Sequence, residues 1–152
     1  MKIIMTKEER VAIAAASFSD GYNCAQSVLS AWPELMPGCR ESIMKQASGF
    51  GAGMGRLQEV CGALTGAYMV IGLSNGSHKP DDIRKEFVYG AIQELTRKFV
   101  VLNREVTCQK LIKVDLNTEH GREMHRSVDI REKVCEKCVS DSVALLFDIL
   151  QP

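Results

Sequence analysis

The sequence predicts an all-α protein: a compact, single-domain helical bundle of about five to seven helices over residues 1–152. Three observations carry this. Apolar residues recur at three- and four-residue intervals in successive segments, and no segment sustains the period-two alternation of a strand. Capping residues and Gly/Pro breakers separate those segments. The chain's 152 residues, 45% hydrophobic and 25% charged, suffice for one domain with its own core.

Thr6-Lys7-Glu8-Glu9 fits a capping box, and Val11, Ala14, Ala15 and Phe18 then share one helical face, which ends at Asp20-Gly21. Asn23 caps a second helix through Val28, Leu29 and Trp32, stopped by Pro33. Pro33–Arg40 reads as a loop, and a short helix follows from Ser42 to Ala47. The glycine-spaced run Gly49–Gly55 has no strand before it and no Gly-Lys-Ser/Thr ending. It therefore lacks the context of a dinucleotide or phosphate loop and reads as a packed connection. A helix from Gln58 to Leu73 ends at Ser74-Asn75-Gly76.

Pro80, Asp81 and Asp82 open the longest helix, with Ile83, Phe87, Ala91, Leu95, Phe99 and Leu102 at helical spacing. Thr107 caps a short helix through Ile112. Leu116–Arg126, with His120 and His125, reads as a solvated loop. Asp129 to Leu150 forms the last helix, its buried stripe being Val134, Cys138, Val143, Leu146 and Leu150.

Nineteen Lys plus Arg balance nineteen Asp plus Glu, so no basic excess points to nucleic acid; at 6% aromatic residues, no base-stacking surface is implied. The apolar part of Met1–Arg10 is too short for a signal-peptide core, and no segment approaches a membrane span. The chain reads as cytoplasmic, where several cysteines point to metal ligation, catalysis or redox sensing rather than disulfides.

Six Cys stand against three His. Cys24 follows the cap Asn23 and Cys108 follows the cap Thr107, so both occupy first turns, where unpaired N–H groups stabilise a thiolate. Cys61 opens Cys61-Gly62-Ala63-Leu64-Thr65-Gly66, whose two glycines leave one helix face without bulk. Interior glycine costs about 1 kcal/mol relative to Ala, offset by a close helix crossing or by room for a bulky group beside Cys61. That face suits packing within one chain or across a homodimer. Cys135-Glu136-Lys137-Cys138 places two thiols on one helix face; Val139 in place of His excludes c-type haem attachment there, and no second close pair completes a zinc finger. Cys39 has no partner in sequence.

Gly21–Val28, the glycine run Gly49–Gly55, Cys61–Gly66, Cys108–Leu111 and a Cys opening the C-terminal helix occur in the order of a known pattern. The chain resembles the C_GCAxxG_C_C family of redox-active proteins over nearly its whole length. A similar domain occurs in split-Soret cytochromes, where it is associated with an iron–sulfur cluster. The resemblance implies key thiols at Cys24, Cys61, Cys108 and Cys135, with Cys138 as the alternative fourth; Cys135 fits the family's tail spacing better. These thiols would hold an iron–sulfur cluster, [2Fe–2S] or related, for electron transfer with an unidentified redox partner. Such a cluster is readily lost on purification in air. Gly51, Gly53, Gly55 and Gly62 would allow close backbone approach to it. The rival expectations are a cofactor-free thiol/disulfide protein, in which Cys24 or Cys108 attacks and Cys61 or Cys135 resolves, and a zinc-binding module.

Overall fold

The Thr6 capping box forms as its residues require: Glu9 N–H donates to Thr6 Oγ1 at 3.1 Å and Thr6 N–H to Glu9 Oε2 at 2.7 Å. It opens α1, Lys7–Ser19, in a computed structural model that describes residues 4–151. Met1–Ile3, part of the N-terminal apolar run, and Pro152 lie outside the described residues. The following helices are α2 (Cys24–Ser30), α3 (Arg40–Ala47), α4 (Gly62–Asn75), α5 (Asp82–Asn103), α6 (Cys108–Ile112), α7 (Glu119–His125) and α8 (Lys137–Leu150). The described residues contain no β-strand; one isolated bridge pairs Val60 with Thr107. The all-α expectation holds; the eight helices named exceed the expected five to seven because a helix forms within the expected loop Leu116–Arg126.

Helix α2 lies at the centre. Ala25, Val28 and Leu29 are fully buried against α4, which contributes Leu64, Ala67, Val70 and Ile71. Around this pair pack Ala14 and Phe18 of α1, Leu95 and Phe99 of α5, and Val139, Val143 and Leu146 of α8. Each such Val, Leu, Ile or Phe side chain contributes about 1.5–3 kcal/mol on burial, so a hydrophobic α4 buried on several faces packs beside α2 at the core. The α2–α4 crossing explains Gly66: a Cβ there would stand 2.6 Å from the Ala25 carbonyl oxygen. The glycine face is thus spent inside one chain.

Four segments differ from expectation. The Gln58 helix start moves to Gly62, because Gln58–Cys61 instead bonds to the segment before α6: Cys61 N–H donates to Val106 O at 2.9 Å and Cys108 N–H to Glu59 O at 2.7 Å. Leu116–Arg126 is not a loop. Thr118 caps α7, its Oγ1 accepting from Gly121 N–H at 2.9 Å. The last helix does not run evenly from Asp129: a single turn, Val128–Ile130, leads into a π-helical stretch, Arg131–Glu136, before α8. In α5 only Ala91, Leu95 and Phe99 of the expected face are buried; Ile83, Phe87 and Leu102 face outward, because the helix outruns the core at both ends.

The glycine run makes a turn of unusual hand. Ala52, Gly53, Met54, Gly55 and Arg56 all have φ between 55° and 66°, and Gly55 N–H donates to Gly51 O at 2.8 Å. Three of these carry a Cβ, at a cost of about 1–2 kcal/mol each. The surroundings hold them: Gln58 N–H donates to Ala52 O and Glu59 N–H to Gly53 O.

Candidate functional site

Cys24, Cys61, Cys108, Cys135 and Cys138 line one cavity of about 430 Å³. All are free thiols, and they come from five separate elements or junctions. Cys39 is exposed at the start of α3, away from the cavity.

Each thiol is placed by local structure. Asn23 caps α2 reciprocally with Gln26, and its Nδ2 donates to Ala47 O at 3.2 Å and Ser48 O at 3.1 Å, which anchors Cys24 to the glycine turn. Gly51 sits so close to Asn23 that a Cβ would lie 2.6 Å from the Asn23 Cβ. At Gly62 a Cβ would lie 2.9 Å from Phe50 O and 3.1 Å from the Cys24 Cβ. Glycine at this position lets the Cys61 and Cys24 segments meet. The cavity wall also includes Gly53 and Gly55. Cys108 starts α6 under the Thr107 cap and is tied to Gln58–Glu59 by backbone bonds.

Gln58, 7% exposed, is a residue the sequence reading missed. Its Nε2 donates to Val114 O at 2.8 Å and its Oε1 accepts from Leu116 N–H at 2.9 Å. It therefore joins the left-handed turn, α6 and the approach to α7. No residue spacing signals this, since its partners lie more than fifty positions away.

His125, expected in a solvated loop, ends α7 half-buried with Nε2 3.5 Å from Cys135 Sγ. Burial, then the charges of Arg131, Arg56 and Arg126, hold its pKa below the ordinary value. His120 remains exposed. Arg131 donates to Phe18 O at 2.7 Å and lies 4.2 Å from the Phe18 ring centroid, which fixes its charge at the cavity wall.

The thiols are not electrically equivalent. Burial pushes Cys108 up to about 12, and the nearby Cys61 adds to this. Burial followed by the charges of Cys61 and Cys108 pushes Cys135 up to about 12, with Arg131 opposing. Cys24 is also raised, by burial first and then by Cys61, Cys135 and Cys108. Cys61 alone is lowered: the neighbouring Cys138 thiol is the main cause, and the N–H groups of Ala63 and Leu64 outweigh, together with it, the cost of burial. Cys138 is raised in turn, chiefly by the same contact with Cys61. The thiolate-favouring setting anticipated at Cys24 and Cys108 is thus found at Cys61, which is as buried as they are but has the Cys138 thiol beside it.

Both Cys135 and Cys138 face the cavity, one beside His125 and the other beside Cys61. Among the described residues, no three His, Cys, Asp or Glu side chains close on a point that would hold a single ion. The thiols are instead distributed around the wall. Nor is any helix among the described residues long and apolar enough to cross a membrane.

No curated protein and no solved structure matches the chain. A family does, described as "Putative redox-active protein (C_GCAxxG_C_C)", over residues 22–149, a span that contains every cavity cysteine. The chain belongs to the C_GCAxxG_C_C family of redox-active proteins.

Proposed function

We propose that the protein is an electron-transfer protein whose cavity thiols hold an iron–sulfur cluster. The observation that carries this reading is the gathering of thiols from sequence-distant segments around one cavity. The donor chemistry fits: cysteine thiolates are the usual ligands of such clusters, and a group larger than one ion takes ligands spread over a wall. Cys24, Cys61, Cys108 and Cys135 are the proposed ligands, with Cys138 the alternative to Cys135. Gly51, Gly53, Gly55 and Gly62 bring backbone to the cavity wall and would allow its close approach to the cluster. When bound, the cluster would supply one-electron redox chemistry. The protein's part is to exclude water by burial, to keep Cys61 ready to ionise, and to set positive charge from Arg131 beside Cys24 and Cys135. The partner would be a redox protein or small molecule.

Anaerobic purification or reconstitution, followed by visible spectroscopy and iron and sulfide analysis, tests this. Iron and sulfide are expected in the native chain and after Cys39→Ser, and are expected to be lost after Cys61→Ser or Cys24→Ser. Comparing Cys135→Ser with Cys138→Ser assigns the fourth ligand. A chain that takes up no iron under reconstitution overturns the reading.

A second reading rests on the Cys61–Cys138 contact. As a cofactor-free dithiol, the Cys61 thiolate would attack a partner disulfide and Cys138 would resolve the mixed disulfide. The partner would leave as a dithiol and the Cys61–Cys138 pair as a disulfide. Non-reducing mass analysis of that pair after reaction with a disulfide distinguishes the two readings.

A further inference from the structure

The cavity that gathers the thiols also gathers positive charge. Among the described residues, Arg56, Arg122, Arg126 and Arg131 line it together with His125, and no Asp or Glu does. In a chain with nineteen basic and nineteen acidic residues, a wall with four guanidinium groups and no carboxylate is not an average surface. Among the described residues, none of the four arginines forms an ion pair, although lysines and arginines elsewhere do.

The four converge from different places: the left-handed turn, the middle and the cap of α7, and the π-helical stretch. Two are held in place. Arg131 is fixed by the Phe18 carbonyl and ring, and Arg122 Nη1 donates to Leu116 O at 3.0 Å. Arg56 and Arg126 are exposed, and Arg56 is carried on a residue with φ 66°. Two fixed guanidinium groups with two exposed ones at the rim form an arrangement suited to an anion, since guanidinium matches carboxylate and phosphate oxygens bidentately. Arg131, Arg56 and Arg126 all bring their charge to His125, and Arg131 also reaches Cys24 and Cys135.

We propose that the cavity is a binding site for a small molecule carrying a phosphate, sulfonate or carboxylate group, which Arg56, Arg122, Arg126 and Arg131 hold beside the cysteines. The site deepens the redox reading by giving its small-molecule substrate a chemical class, and it rests on that reading only for what happens after binding. About 430 Å³ exceeds the size of a bare oxyanion, so the ligand has a body as well as a charged group; Leu111, Ile112 and Val134 supply an apolar wall for it.

The test is calorimetric titration of the reduced, metal-free full chain with inorganic phosphate, methanesulfonate and acetate in turn. Saturable binding of at least one is expected, with one site per chain. The double variant Arg56→Gln/Arg126→Gln, altered at two exposed side chains, should weaken that binding about tenfold or more. Lys79→Gln, a basic residue outside the cavity, should leave it unchanged. Iron and sulfide content after reconstitution of the double variant should equal that of the native chain. Absence of saturable binding by all three probes, or equal affinity in the double variant, overturns the proposal. So does loss of iron in the double variant with anion binding intact, because the rim arginines would then serve the thiol site. Saturable, arginine-dependent binding by a chain that never takes up iron supports the anion site and overturns the cluster instead.

Discussion

Cys135 Sγ and His125 Nε2 stand 3.5 Å apart, across the junction between the end of α7 and the π-helical entry to α8. The imidazole is half-buried among Arg131, Arg56 and Arg126, so its neutral form is favoured in the folded chain.

That environment gives stability a pH dependence. The folded pKa of His125 lies below its unfolded value of 6.5, so the unfolded state binds the proton more readily. Its contribution is complete above pH 6.5 and is lost as the pH falls through the folded pKa. Melting of the metal-free chain should show the native protein losing more stability than His125→Gln between neutral and mildly acidic pH. Parallel curves for the two would contradict this account.

Cys61 should be the first cavity thiol to react. In the reduced, metal-free Cys39→Ser chain, iodoacetamide labelling of Cys61 should have a midpoint below 9.0. Cys108 and Cys135 should require pH near 12 or prior unfolding. Cys138→Ala removes the main cause of the shift, so it should raise the Cys61 midpoint. Peptide mapping of the labelled protein reads all of these sites.

Gln58→Ala should lower the unfolding free energy by about 1–3 kcal/mol, because the Val114 carbonyl and the buried Leu116 N–H lose their partner. Urea denaturation measures the loss. Near-native stability would mean that these groups find other partners.

Two glycine substitutions should move stability in opposite directions. Gly66→Ala drives a methyl to within 2.6 Å of Ala25 O and should cost about 1–3 kcal/mol by forcing α2 and α4 apart. Gly90→Ala, on an exposed turn of α5 with nothing within 4 Å, should add about 0.5–1 kcal/mol. Thermal melts of the two variants provide the comparison.

How far the chain can be read without its structure depends on the range of the interaction. Caps are local: Thr6, Asn23, Asp81 and Thr107 each bond within three residues, and all four open helices as their sequences indicate. The α7 cap Thr118 is equally local, but the polar, His-containing stretch after it has no apolar stripe to mark a helix. Apolar spacing located α5 but not its exposed ends, because burial depends on how far the neighbouring helices extend.

Capping, periodicity and motif order are local, and they are enough to specify the helical class, most helix starts and which thiols have a local reason to matter. The tertiary structure alone decided that five of six thiols share a cavity, that Cys61 rather than Cys24 or Cys108 is the acidic one, and that His125, Gln58 and four arginines belong beside them. Those facts depend on desolvation and on charges brought together from distant segments, and neither quantity exists until the chain has folded.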